Sequence, residues 1–189
     1  MSKDIFDNTL HINLAGAFYT TQCAARQMEQ QRPQGGSIIG ISSISGKPDS
    51  HLHCPLPAPH FLPHLLRISE ALVGGGLQTH YTPTKAGILS LMQSCAVALG
   101  KHNIRCNALL PGTIKTQLND KDLEDDEKRK YMEGRTPLGR TGVTTDMVGP
   151  AVFLASEELS GYVVSIAMNE GLELFEALTC VVDWCAIVG

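Results

Sequence analysis

The run SIIGISS at 37–43 limits what this chain can fold into more than any other feature. It is β-branched or small at consecutive positions instead of alternating with polar residues, the pattern of a strand covered on both faces and so of a parallel sheet. A second run, IRCNALLPG at 104–112, reads as another strand, closed by a Pro-Gly turn. Helical patterns flank both. From Asp4 to about Gln30, apolar residues recur at Phe6, Leu10, Leu14, Phe18, Ala25 and Met28, close to the helical period. Residues 80–100 are apolar almost all round, so that helix must bury more than one face. Strands alternating with helices predict an α/β fold with a doubly wound parallel sheet.

The rest of the chain adds a charged segment at 120–133, whose acids lead and bases follow as a helix dipole prefers, and a helix over TTDMVGPAVFLASEE weakened by Gly149 and Pro150. A length of 189 residues with 43% apolar content suits one folding unit. The balance of 15 basic against 19 acidic residues contains no basic block, which argues against nucleic acid and membrane partners. MSKDIFDNTL has no apolar core of a signal peptide, and a cytoplasmic location is expected. The six cysteines show no repeated metal-ligand spacing, and no metal is expected.

Within the 80–100 helix, Tyr81 and Lys85 stand four apart, one turn above each other. A phenol with a reference pKa of about 10 is a poor base at neutral pH, and a nearby ammonium favours its ionised form. Such a pair suits proton removal from an alcohol, though four-residue spacing by itself is equally an ordinary tyrosine above an ordinary lysine.

The stretches NLAGAFYTTQ, GGSIIGISSIS, YTPTKAGILSL, IRCNALLPGTIKT and TPLGRTG…GPAVFLAS stand in the order seen in short-chain dehydrogenases/reductases, and the chain resembles that family, most closely its fungal sugar dehydrogenases. The resemblance covers residues 4–45 and 71 to about 163. It implies NAD or NADP as cofactor and oxidation of a sugar such as L-rhamnose at C1. It implies Tyr81 as general acid/base, Lys85 as its tuner and a nicotinamide-ribose ligand, Ser43 as the group holding the substrate oxygen, and Asn13 as support for a water relay. Pro111, Gly112, Ile114 and Thr116 match the turn beside the nicotinamide. A homo-oligomer through helices 4–30 and 80–100 is also implied.

Three departures qualify the resemblance. No strand, glycine-rich turn and helix able to seat a pyrophosphate is found in the sequence; QGGSIIG and GGGLQ are glycine-rich but in the wrong order of elements. Ser43 and Tyr81 lie 38 residues apart, and excising residues 46–70 restores the family's closer spacing. That segment holds five of the ten prolines and four of the seven histidines, a composition foreign to its flanks, as a translated intron would be. Its ligand-type residues His51, His53, Cys54, His60 and His64 sit in a proline-rich run that resists helix. Finally, the match ends near Val163. The expectation is thus a partial Rossmann-like, doubly wound parallel sheet without the first βαβ unit and the last strand. Residues 1–163 form an incomplete domain with a disordered insert at 46–70, and 164–189 a tail foreign to it. Two functions stay open: an impaired, inactive dehydrogenase chain, or a non-catalytic chain that pairs with itself or with an intact relative.

Overall fold

In the computed structural model, which describes residues 1–43, 78–134, 136, 138–159 and 166–168, the expected sheet is built on two parallel strands. They are β1 (Gly36–Ile41) and β2 (Ile104–Leu110), in register from Gly36 opposite Ile104 to Ile41 opposite Leu109. The connection between them includes the helix α3 (Thr82–Leu99). Pro83 sits in the first turn of α3, where its missing N–H costs nothing. A 3₁₀ turn over Gly100–His102 ends that helix, and Asn103 in the left-handed region turns the chain into β2.

The long N-terminal helix is broken by a widened turn. α1 (Lys3–Leu10) passes through a π-helical turn, His11–Ala15, into α2 (Gly16–Gln30). The apolar stripe predicted along it does not all face the core: Phe6, Leu10 and Phe18 are exposed, α1 buries no residue, and α2 buries Thr21 and Ala25. The π turn packs on α3, and α2 touches both α3 and the strands β1 and β2, with Met28 against Gly36.

Successive side chains of a strand point to opposite faces, and the core divides accordingly. On one face Cys106, Ala108 and Leu110 of β2 pack with Leu89, Met92 and Ala96 of α3. On the other, Leu109 meets Leu154 of α6 (Val148–Ala155), with Ile39, Ala151 and Phe153 beside them. Helices on both faces make the sheet doubly wound, as the two-sided apolar run required. Burial pushes the Cys106 thiol up to about 12, with Cys95 adding to the shift, so Cys106 behaves as a core hydrophobe.

Three features differ from the sequence expectation. Ile166–Met168 forms a third strand, β5, parallel to β2 and opposite Ala108–Leu110, in the segment expected to be foreign to the domain. Three residues are too few to carry a periodic signal, so the free edge of β2 and not the local pattern defines this strand. The charged segment is two short helices, α4 (Asp120–Glu124) and α5 (Asp126–Gly134), because Asp125 is extended and its Oδ1 accepts from the backbone N–H groups of Glu127 and Lys128. A small parallel ribbon, β3 (Ile114–Lys115) with β4 (Gly142–Val143), was not foreseen. Residues 46–70 and most of 164–189 lie outside the described residues. No helix among the described residues is long and apolar enough to cross a membrane.

The approach of α3 to β1 depends on Gly40. A Cβ there would lie 2.6 Å from Met92 Cγ and 3.0 Å from Ile88 Cγ2. Gly40→Ala should therefore destabilise the fold by about 1–3 kcal/mol, the usual effect of overpacking, read as a lower urea midpoint at unchanged slope.

Candidate active site

Parallel strands end on the same side of a sheet, and ligands of open α/β sheets bind outside those carboxyl ends. Ser42 and Ser43 follow directly on β1, and Pro111 and Gly112 follow directly on β2. The first turn of α3 lies beside the end of β1. Two hydrogen bonds running in opposite directions fix this contact: the Ser42 hydroxyl donates to the Lys85 carbonyl at 2.7 Å, and Lys85 Nζ donates to the Ile41 carbonyl at 3.0 Å. Ser42 is buried, and its own N–H donates to Leu109 O at 2.9 Å, extending the β1–β2 ladder by one bond.

This packing brings together the side chains that the sequence singled out. Ser43 hydrogen-bonds the Tyr81 side chain despite the 38 residues between them. Lys85 Nζ stands 5.6 Å from the centre of the Tyr81 ring. Asn13, carried on the π turn, donates from Nδ2 to the Thr84 hydroxyl at 3.1 Å, and Thr84 donates to the Tyr81 carbonyl at 2.7 Å. Gly87 lets the π turn approach α3, since a Cβ there would lie 2.9 Å from the Leu14 side chain.

Pro111, Gly112, Ile114 and Thr116 form the exit of β2. The β3–β4 ribbon and Asn119 shape it: Asn119 Nδ2 donates to Ile114 O at 2.8 Å, and Gly142 N donates to Thr113 O at 2.9 Å.

The electrostatics have a definite sign. Burial raises the Tyr81 phenol above its ordinary value, and the Ser43 hydrogen bond opposes this more weakly. Burial also lowers Lys85. The lysine stands over the ring, with Nζ donating to Ile41 O, so in this geometry desolvation and not the ammonium governs the phenol. Ser42 and Thr84 were not picked out in the sequence. The available signal was a hydroxyl residue directly beside each site residue, Ser42 before Ser43 and Thr84 before Lys85.

Residues 1–55 match the family model described as short chain dehydrogenase, and residues 65–171 the one described as Enoyl-(Acyl carrier protein) reductase. The chain belongs to the short-chain dehydrogenase/reductase family. It is 59% identical over 155 residues to L-rhamnose-1-dehydrogenase of Scheffersomyces stipitis, a match covering 82% of this chain and 50% of that protein. It is 51% identical to L-rhamnose 1-dehydrogenase (NAD(P)(+)) of a Sphingomonas species, over 89% of this chain and 56% of that one. The crystal structure of a gluconate 5-dehydrogenase from Burkholderia cenocepacia in complex with NADP and tartrate superposes with a TM-score of 0.67 at 25% identity, over 94% of this chain and 58% of that chain. The chain thus spans about half the length of the curated relatives it matches.

Because Ser43 lowers the phenol and burial raises it, Ser43→Ala should move Tyr81 further up. In ¹³C-tyrosine spectra titrated toward high pH, the Tyr81 midpoint should lie above that of a free tyrosine and rise again in the variant. A midpoint that falls on removing Ser43 would contradict the arrangement.

Proposed function

We propose that these residues are the proton-handling half of an NAD(P)-dependent sugar dehydrogenase that oxidises L-rhamnose or a related aldose at C1. The observation that carries the reading is the Ser43–Tyr81–Lys85 cluster at the carboxyl end of the sheet, assembled from residues 38 and 4 apart. Homology to L-rhamnose 1-dehydrogenases supports the substrate class.

The residues present fit a nicotinamide. Lys85 uses one of its three donors on Ile41 O, leaving others for ribose hydroxyls. His80 Nδ1 and Thr82 Oγ1, on either side of Tyr81, are buried without a hydrogen-bond partner among the described residues. The β2 exit at Pro111, Gly112, Ile114 and Thr116 lies at the same carboxyl end of the sheet. NAD(P), held by Lys85 and the β2 exit, would supply the acceptor for the C1 hydride. Tyr81 takes the proton of the C1 hydroxyl, so two electrons and two hydrogens leave the sugar and a lactone results. Ser43 holds the reacting oxygen, Lys85 stabilises the phenolate, and Asn13 supports the water relay that carries the proton from Tyr81 out to solvent. Tyr81 must be lowered from its present position to act as base; the positive charges of Lys85 and of the oxidised nicotinamide both push that way.

The sequence holds no glycine-rich unit to anchor a pyrophosphate, and hydride transfer needs the ring held within reacting distance. These 189 residues by themselves are expected to oxidise no sugar above background. Joined to a glycine-rich strand–turn–helix, with residues 46–70 removed, the chain should turn over L-rhamnose. In that form Tyr81→Phe should remove nearly all turnover with cofactor binding retained. Near-full turnover by Tyr81→Phe would end this reading.

An open apolar groove favours a second, compatible role. Leu10, Leu14, Phe18, Tyr19 and Leu91 line it between the N-terminal helices and α3. Such a surface suits pairing with a second copy or with an intact relative. Sedimentation at low micromolar concentration should find the chain associated, and Phe18→Asp should release a monomer. A monodisperse wild-type monomer would count against pairing.

A further inference from the structure

We propose that Thr84 is a positioning residue which sets the orientation of the Asn13 amide against the Tyr81 turn, an inference resting on the reaction proposed above. Thr84 is completely buried, at 0% exposure, yet it carries a hydroxyl in an apolar helix. A hydroxyl has a single proton to donate. Thr84 gives its proton to the Tyr81 carbonyl at 2.7 Å, so toward Asn13 it can only accept. Asn13 meets it with Nδ2 at 3.1 Å. The Asn13 amide is thereby fixed with its nitrogen toward α3 and its oxygen turned away, because the opposite orientation would set two acceptors against each other.

The chain of donors links two elements separated in sequence. The π turn carries Asn13, the first turn of α3 carries Thr84, and the carbonyl reached is that of the proposed base. The hydrogen bonds of the Thr84 side chain run to the Asn13 amide and the Tyr81 carbonyl, so it acts through Asn13 and through the Tyr81 backbone. A valine of similar shape would keep the packing, remove the acceptor and leave the amide without direction.

Two measurements test this. In the 189-residue chain with ¹⁵N-labelled asparagine side chains, the Asn13 Nδ2 protons, assigned by their loss in Asn13→Ala, should exchange about tenfold faster in Thr84→Val and return to wild-type rates in Thr84→Ser. Unchanged exchange in Thr84→Val would overturn the orientation claim. In the active, extended form, Thr84→Val should lower kcat about tenfold or more with the sugar KM little changed, and Thr84→Ser should restore it. The loss should vanish when Asn13 is already alanine, since residues acting through one another are not additive. Equal losses in both backgrounds would reduce Thr84 to a packing residue. If Tyr81→Phe abolishes turnover while Thr84→Val does not change kcat, this inference falls and the proposed reaction stands. If Tyr81→Phe retains turnover, the reaction falls, and the exchange measurement still decides the orientation.

Discussion

The parallel pairing of β1 with β2 is the constraint on which the other parts depend. Six residue pairs in unbroken register make the strands end side by side. That alignment puts Ser43 and the Pro111–Gly112 exit at one edge of the sheet, and packing of α3 against both strands adds Tyr81 and Lys85. The Ser42–Lys85 and Lys85–Ile41 hydrogen bonds then hold the helix turn to the strand end. Loop-closure entropy grows only logarithmically with length, so the long separation between Ser43 and Tyr81 costs the cluster little.

Much of this was legible in the residues, for identifiable reasons. SIIGISS and IRCNALL announced β1 and β2 because burial on both faces removes the polar alternation of a surface strand. The 80–100 helix was legible because being apolar all round demands cover on more than one side. Tyr81 and Lys85 stood out by their spacing and Asn13 and Ser43 by resemblance; the geometry groups Ser43 with Tyr81 and Lys85 and ties Asn13 to them through Thr84. What stayed hidden was short or reciprocal. β3, β4 and β5 are two or three residues each, defined by their partners and not by themselves. Thr84 and Ser42 are ordinary hydroxyl residues in sequence, and only their burial and hydrogen bonds mark them out.

The phenol of Tyr81 illustrates how far spacing alone can be trusted. Four-residue separation on a helix does bring the ammonium near the ring, as expected. It does not make that ammonium the controlling influence, because both groups lose solvent together and Lys85 spends a donor on the backbone. Proximity and tuning are separate properties. The first follows from helix geometry, while the second depends on charge that the site must still gather.

The π turn at His11–Ala15 has a consequence for how this region tolerates changes in length. One residue accounts for roughly 100° of rotation in an α-helix, so the extra residue within the turn sets α1 and α2 out of phase. Of the stripe written as Phe6, Leu10, Leu14 and Phe18, the last three still line one groove, while Phe6 is not among its lining residues. Removing a single residue from the turn would restore a continuous helix and swing Asn13 away from Thr84, whereas an added residue near Ser2 would merely lengthen an exposed end. The segment is a fixed-count spacer: outside Asn13 and Leu14 its residue types leave room for exchange, but its number of residues does not.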